Sequence, residues 1–436
     1  MPRAHVVVAG AGLAGLSAAY ELARHETAVT VVDARAYAGG RVRTIRDFSA
    51  RQHAELGGEF IDSDHTEIRQ LCETFGLRLI RVLRNGFTHR FLARGDQYTV
   101  ARTAPWTALA DSLKPLVRRY QTVEGDPSAD AIREMSTMSL GGWLRSVNAP
   151  RSVEEMAIAL RGFFLADPDD ISVLPVVEQI ANGGSPAQAK LFRIEGGNDR
   201  LVDALMDATR ARLLLGHVVR TLAQGPDRVT VAVTDPSGRT QKIEADDVVV
   251  TLPASTLRNI EIHPPLPDRQ RHAIDRLAYG CATKLLVQTS GRPWGARRAR
   301  AFATDGALGA FWDASEEQGS EASIIAFLAG GDVAARLRDE ANEDAQAVMA
   351  QLCWLRMDRL AVAAVKVADW TTDPWARGGY AFFDPGFDPA WRSLLARRAG
   401  RIVFAGEHTS RRWQGYMNGA VESGLRAARE LLKELR

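Results

Sequence analysis

Three cysteines in 436 residues are few, and they stand far apart at Cys72, Cys281 and Cys353. There is no Cys-x-x-Cys pair and no zinc-type spacing, which excludes a disulfide framework and a structural zinc site; free thiols in a reducing compartment are expected. Charge of one sign is also lacking. Lys plus Arg number 55 against 53 Asp plus Glu, a net of +2, too little to attract nucleic acid or an anionic membrane. The one basic run, residues 292–300, is brief and reads as a solvated loop. No apolar run reaches the roughly 20 residues that a bilayer demands. The first apolar stretch runs straight into a glycine turn, so it reads as a strand and not as a leader peptide. These absences point to a cytoplasmic protein with no metal, nucleic acid or membrane partner. The length favours two domains sharing a large core.

What the chain does have is glycine at chosen places. Residues 6–33 run as an apolar stretch, then Gly10-Ala-Gly12-Leu13-Ala14-Gly15, then an Ala/Leu-rich helix to Arg24, then a second apolar stretch ending at Asp33. That is the order of a βαβ unit. Gly10 allows the tight strand-to-helix turn, Gly12 lets backbone approach a pyrophosphate, and Gly15 lets helix and strand pack closely, with the first helical N–H groups facing the anion. Asp33 stands where a carboxylate accepts from ribose hydroxyls. In that context the motif signals a dinucleotide.

Further blocks follow. Gly39-Gly40-Arg41 suits a loop folded over a phosphate, with Arg41 as a bidentate candidate. Gly57-Gly58-Glu59 offers backbone that can lie against a flat ring. A helix is expected over residues 65–77, stopped by Gly76. Residues 85–188 change texture, with short strands at 86–91 and 97–100 and helices at 109–120, 141–147 and 153–164. The stripe of Met156, Leu160, Phe163 and Phe164 reads as core, not as a membrane face. Nucleotide-domain texture returns at Gly196-Gly197, with a short strand at 217–219, a hairpin around Asp235 to Gly238, and a buried strand at 246–253. Lys284 lies in an apolar strand, where a lysine is expensive without a task; burial is expected to lower its pKa. Cys281, an odd number of residues away, is expected to point to the opposite face as core. The chain closes on a strand running into Gly406-Glu407 and on Gly415-Tyr416-Met417, which opens a final helix containing Ala420.

Together these blocks resemble the flavin-containing amine oxidase superfamily. The matching segments are Gly10 to Gly15, Asp33-Ala34-Arg35, Gly39-Gly40-Arg41, Leu56-Gly57-Gly58, Gly196-Gly197 with Leu201, residues 249–253, Lys284, Trp370, and residues 404–407 with 415–424. They span the whole chain in the family's order. The resemblance implies an α/β fold: a discontinuous Rossmann-like FAD domain (1–80, 193–277, 377–436) and an α+β substrate domain with a helical insertion (81–192, 278–376). It implies FAD with Asp33 on the adenosine ribose, Arg41 on the pyrophosphate, Val218 offering backbone to adenine, and Glu407 and Met417 along the ribityl and isoalloxazine end. Covalent members carry a cysteine just after the glycine pair matching Gly378-Gly379; Tyr380 stands there, so FAD is expected to be non-covalent. The implied chemistry is oxidation of a neutral primary or secondary amine between two rings, Tyr416 and either Tyr380 or Phe382, with O2 as acceptor and Lys284 holding a water near flavin N5. A homodimer stays open. Glu59, Asp62 and residues 167–170 are candidate acids for a polyamine, and Arg161, Arg193, Arg411 and Arg412 candidate anchors for an amino-acid carboxylate. The alternatives are an L-amino-acid oxidase or monooxygenase of the superfamily, and a C–C desaturase or protoporphyrinogen-oxidase-like enzyme.

Overall fold

The structure, a computed structural model, describes residues 4–92, 98–101, 104–123, 125–181, 190–294, 300–357 and 359–434. Its organising sheet is five-stranded and parallel, in the order Arg212–Leu215, Ala28–Asp33, His5–Ala9, Asp247–Val250, Ile402–Phe404. The central strand is apolar without alternation because both faces are covered. Val6 and Val8 face one core, shared with Leu16 and Leu22 of the helix Leu13–Arg24 and with Val421 and Leu431 of the helix Met417–Glu434. Val7 and Ala9 face another, shared with Val219, Val229, Val231 and Val233 of a four-stranded sheet.

Gly424 sets how closely the two covering helices approach. A Cβ there would sit 2.1 Å from the Ala14 carbonyl oxygen. Gly424→Val is therefore expected to force the helices apart at a cost of about 1–3 kcal/mol or more. A thermal melt with FAD in excess checks this; an unchanged midpoint contradicts it.

The second large sheet has seven strands, ordered Val362–Asp369, Ala282–Thr289, Ser323–Gly330, Ala310–Asp313, Ala301–Thr304, Thr88–Leu92, Tyr98–Ala101. Every residue of Ala282–Thr289 is buried, because antiparallel neighbours flank it on both sides and layers cover both faces. A helical layer including Ala104–Thr122, Arg151–Ala159 and Val173–Ala181 packs its own core beside this sheet. Met156 and Leu160 lie in that core, whereas Phe163 and Phe164 are half-buried. The helix expected over 153–164 is two: Arg151–Ala159, then Arg161–Phe164, which ends at Leu165 in the left-handed region (φ 56).

One other expectation fails. Cys281 is exposed, not core, because the regular strand begins one residue later, at Ala282, and alternation does not extend to it. The basic run is tied down at its described ends: Arg292 donates to the Gln318 carbonyl, and Arg300 pairs with Asp313 at 2.9 Å. Residues 295–299 of that run, and residue 97 of the expected strand, lie outside the described residues. No helix among the described residues is long and apolar enough to cross a membrane.

Candidate active site

One cavity of about 1530 Å³ runs from the first glycine turn into the space beneath the seven-stranded sheet. Small-molecule sites usually occupy about 300–1,000 Å³, so this one has room for a dinucleotide and a small molecule together.

At the nucleotide end the walls are made of backbone. Gly12 and Gly39 form a bridge between the two glycine loops. In the first turn of the helix Leu13–Arg24 the N–H groups have no intrahelical acceptor and are free to meet an anion. Asp33 accepts the Ala11 N–H at 2.7 Å on one oxygen and the Arg35 N–H at 2.8 Å on the other. That fixes its carboxylate on the cavity wall, with Val218 nearby in the lining. Gly15 is the one residue named above for the cofactor that does not line the cavity. Its missing Cβ would fall 1.8 Å from the Gly10 carbonyl oxygen, so its part is helix-to-strand packing.

The charged residues are paired more heavily than their sequence suggests. The Arg35 guanidinium makes a two-pronged pair with Asp373, at 2.6 and 2.9 Å, and lies over Trp370. Arg41 donates through Nη1 to the Gly379 carbonyl at 2.7 Å and to Glu407 at 3.0 Å. Glu407 in turn accepts from the N–H groups of Ala381 and of Gly415, the latter at 2.8 Å. Arg41 and Glu407 thus tie three cavity-lining segments, around 41, 379–381 and 407–415, into one frame.

Farther in, Gly57 and Gly58 sit between two bulky neighbours. A Cβ on Gly57 would meet the Arg41 carbonyl oxygen at 1.9 Å and Trp370 at 3.2 Å, and one on Gly58 would meet Met417 at 3.1 Å. The Trp370 indole is held by its bond to the Leu56 carbonyl at 3.1 Å.

Lys284 reaches this loop from the opposite sheet. Its Nζ donates to the Gly57 carbonyl at 3.1 Å and to Glu59 at 2.5 Å, and lies 5.2 Å from the centre of the Trp312 ring. Glu59 also accepts from the Trp312 indole at 2.7 Å and pairs with Arg193 at 2.7 Å. Burial alone would raise the Glu59 pKa; the charges of Lys284 and Arg193 and the bonds from Lys284 and Trp312 outweigh it and hold the carboxyl below its usual value. Asn198 donates to the carbonyls of Gly58 (3.1 Å) and Glu59 (2.8 Å) and locks the same loop from behind.

Aromatic walls complete the inner chamber. The Tyr380 hydroxyl donates to the Phe163 carbonyl. Tyr416, 42% exposed and lining the cavity, is supported edge-on by His65 and Trp413. Phe382 lines the chamber with Phe87, Phe163 and Trp312. His65 is fully buried and its pKa is pushed down to about 4 by that burial; burial, then Asp64, raises Asp62 to about 6.

Several candidate substrate groups do not reach the cavity. Arg193 is occupied by Glu59 and by the carbonyls of Ala314 and Asp313; Arg161 pairs with Asp167, and Asp169 with Arg145. Asp62, Arg411 and Arg412 do line it. Trp312, Asn198 and Asp373 carried no signal in the sequence, since the partners that tie them to this site lie between 139 and 338 residues away. None of the three cysteines lines the cavity, so no thiol is placed to tether a cofactor.

A parallel sheet with a glycine cradle, continuous with an aromatic-walled chamber holding a buried lysine, defines a dinucleotide-dependent oxidoreductase. The family model for flavin containing amine oxidoreductases matches residues 13–432, and the chain belongs to that family, with FAD as its cofactor. It is 30% identical over 98% of its length to a Mycobacterium tuberculosis protein named for a flavin-containing monoamine oxidase, AofH, matching 96% of that protein. To horse amine oxidase [flavin-containing] A it is 26% identical, covering 99% of this chain and 85% of the other. To the L-amino-acid oxidase of Protobothrops flavoviridis it is 25% identical, covering 98% and 88%. Its fold is that of cyclohexylamine oxidase from Brevibacterium oxydans IH-35A, with a TM-score of 0.86, 22% identity and full coverage of both chains. Putrescine oxidase bound to putrescine follows at a TM-score of 0.85 and 20% identity, with 99% of each chain covered.

Proposed function

We propose that this chain oxidises a primary or secondary amine carried on an apolar body to the imine, with O2 reduced to H2O2. The observation that carries the reading is the single cavity joining the glycine cradle to a chamber walled by Tyr380, Tyr416, Phe382 and Trp312, with Lys284 in the wall between them. The cradle fits FAD: Gly10, Gly12 and Gly40 leave room for a pyrophosphate over the helix N-terminus, and Asp33 is fixed for the ribose. Gly57, Gly58, Trp370 and Met417 form a tight frame for the ring end. Leu13, Ala14, Ala34, Arg41, Val218, Gly406, Glu407, Gly415 and Ala420 complete the lining.

Bound FAD supplies the hydride acceptor and passes the electron pair on to oxygen. The chain's own part is to bind the amine in its neutral form, which the apolar walls favour by making a charged ammonium costly. Tyr380 and Tyr416 flank the nitrogen, and Lys284 stands ready to move protons at the oxygen-reducing face. The amine loses a hydride from its α-carbon and a proton from nitrogen; two electrons and two protons convert O2 to H2O2. Water then hydrolyses the imine to a carbonyl compound and ammonia or a shorter amine.

A second reading, an L-amino-acid oxidase, has one observation behind it: Arg411 and Arg412 line the cavity and are exposed. One experiment separates the two. Anaerobic mixing of the yellow holoprotein with arylalkylamines, cycloalkylamines, diamines and L-amino acids is expected to bleach the flavin with the first two groups. Bleaching by amino acids alone transfers the assignment to the second reading, and no bleaching at all defeats both.

A further inference from the structure

Glu59 has no part in the function proposed so far, yet three distant segments, around 193–198, 284 and 312, converge on it. Its carboxylate accepts two hydrogen bonds, from Lys284 at 2.5 Å on one oxygen and from Trp312 at 2.7 Å on the other, and that second oxygen also pairs with the Arg193 guanidinium at 2.7 Å. Arg193 is itself pinned by the carbonyls of Ala314 (2.8 Å) and Asp313 (3.2 Å). Asn198 pins the Glu59 main chain, and the side chains of Glu59 and Lys284 are only 4% and 3% exposed. The cluster holds two cations and one carboxylate, a net charge of plus one, with Lys284 and Glu59 in the cavity wall and Arg193 just behind it. An ammonium has three donors. Two are committed to Glu59 and Gly57, which leaves one for the cavity.

We infer that Glu59 is a positioning residue for the oxygen-reducing half of the reaction: it clamps Lys284 so that one N–H faces the chamber, and it cancels one of the two buried positive charges at that wall. The inference rests on the proposed role of Lys284 at the oxygen-reducing face. Two substitutions separate clamp from charge. Glutamine has one acceptor oxygen where two donors converge on two oxygens beside a guanidinium, so in Glu59→Gln its amide nitrogen confronts Lys284 or Trp312, and the carboxylate charge is gone. Aspartate keeps the charge but is one methylene short of Lys284.

The experiment takes FAD-loaded parent, Glu59→Gln, Glu59→Asp and Lys284→Met, photoreduces each without amine, and reads two quantities. These are the midpoint potential of the bound flavin and the second-order rate of its reoxidation by O2. Glu59→Gln is expected to raise the potential, because the wall goes from plus one to plus two, while Lys284→Met lowers it. Glu59→Asp is expected to leave the potential near the parent's. Both Glu59 variants are expected to reoxidise about tenfold more slowly or worse, a loss of the size that follows a misplaced electrostatic donor. Parent-like reoxidation in both, beside a slow Lys284→Met, overturns the clamp. If Lys284→Met itself reoxidises like the parent, it is the role of Lys284 that fails. Should Glu59→Gln not fold, Glu59→Asp still decides the clamp through its rate.

Discussion

Lys284→Met is expected to slow the reaction of the reduced holoprotein with O2 by about 100-fold or more while leaving FAD retention nearly unchanged. Methionine matches the length of the lysine stem and is at home on a strand whose eight residues are all buried. The carboxylate of Glu59 would keep Arg193 and Trp312 as partners, so no orphaned buried charge results and the fold survives. What disappears is the ammonium and its cavity-facing N–H. A preorganised donor of this kind in a dry site is worth about 10²–10³ in rate. Stopped-flow mixing of photoreduced protein with oxygenated buffer measures the rate, and flavin absorbance after gel filtration measures retention. Equal oxygen reactivity in variant and parent removes Lys284 from the reaction.

The second large effect is on stability, at Glu55. This residue lies behind the Gly57-Gly58 loop, 2% exposed, and accepts the Asn198 N–H and the Thr44 hydroxyl, each at 2.9 Å. Burial, reinforced by the charge of Glu59, raises its pKa from the ordinary 4.5 to about 7. Between those two values the folded protein holds a proton that the unfolded chain has released. Stability therefore falls as pH rises from about 4.5 to about 7, and the full penalty, roughly 3 kcal/mol, persists above. Glu55→Gln removes that penalty. Its amide oxygen can keep the Asn198 N–H and its nitrogen can donate to Thr44, stranding the Thr44 hydroxyl proton at about 1 kcal/mol. The variant is expected to melt higher than the parent at pH 8 and no higher at pH 5. Parallel melting curves across that range would show that Glu55 is ionised throughout.

How much of this was legible beforehand follows from the distance over which each feature is encoded. The 6–33 unit is local: apolar stretch, glycine turn, helix and Asp33 lie within one short segment, and sheet and cradle form there. Lys284 is legible because its immediate neighbours are apolar, which makes a lysine conspicuous. Its partner is not, since Glu59 lies 225 residues away and carries no local mark of being buried. Arg41 shows the same limit. Its glycine-flanked setting reads as a phosphate loop, while the bond to Glu407 spans 366 residues. Cys281 escapes the rule of alternation because the regular strand stops one residue short of it, at Ala282. The break after residue 159 in the expected single helix is a tertiary effect: a Cβ on Gly162 would stand 2.9 Å from Ala310 of the sheet, so the chain presses backbone against strand at that point.

The order of the parallel sheet has a consequence for biogenesis. His5–Ala9 is a central strand, and one of its two neighbours, Asp247–Val250, is made some 242 residues after it. At about 5–20 residues per second the ribosome takes roughly 12–50 s to deliver it. Throughout that interval an apolar strand stands with one hydrogen-bonding edge open. The sheet closes over that edge only once Asp247–Val250 has been made, so the nucleotide cradle is completed long after its own glycine turn.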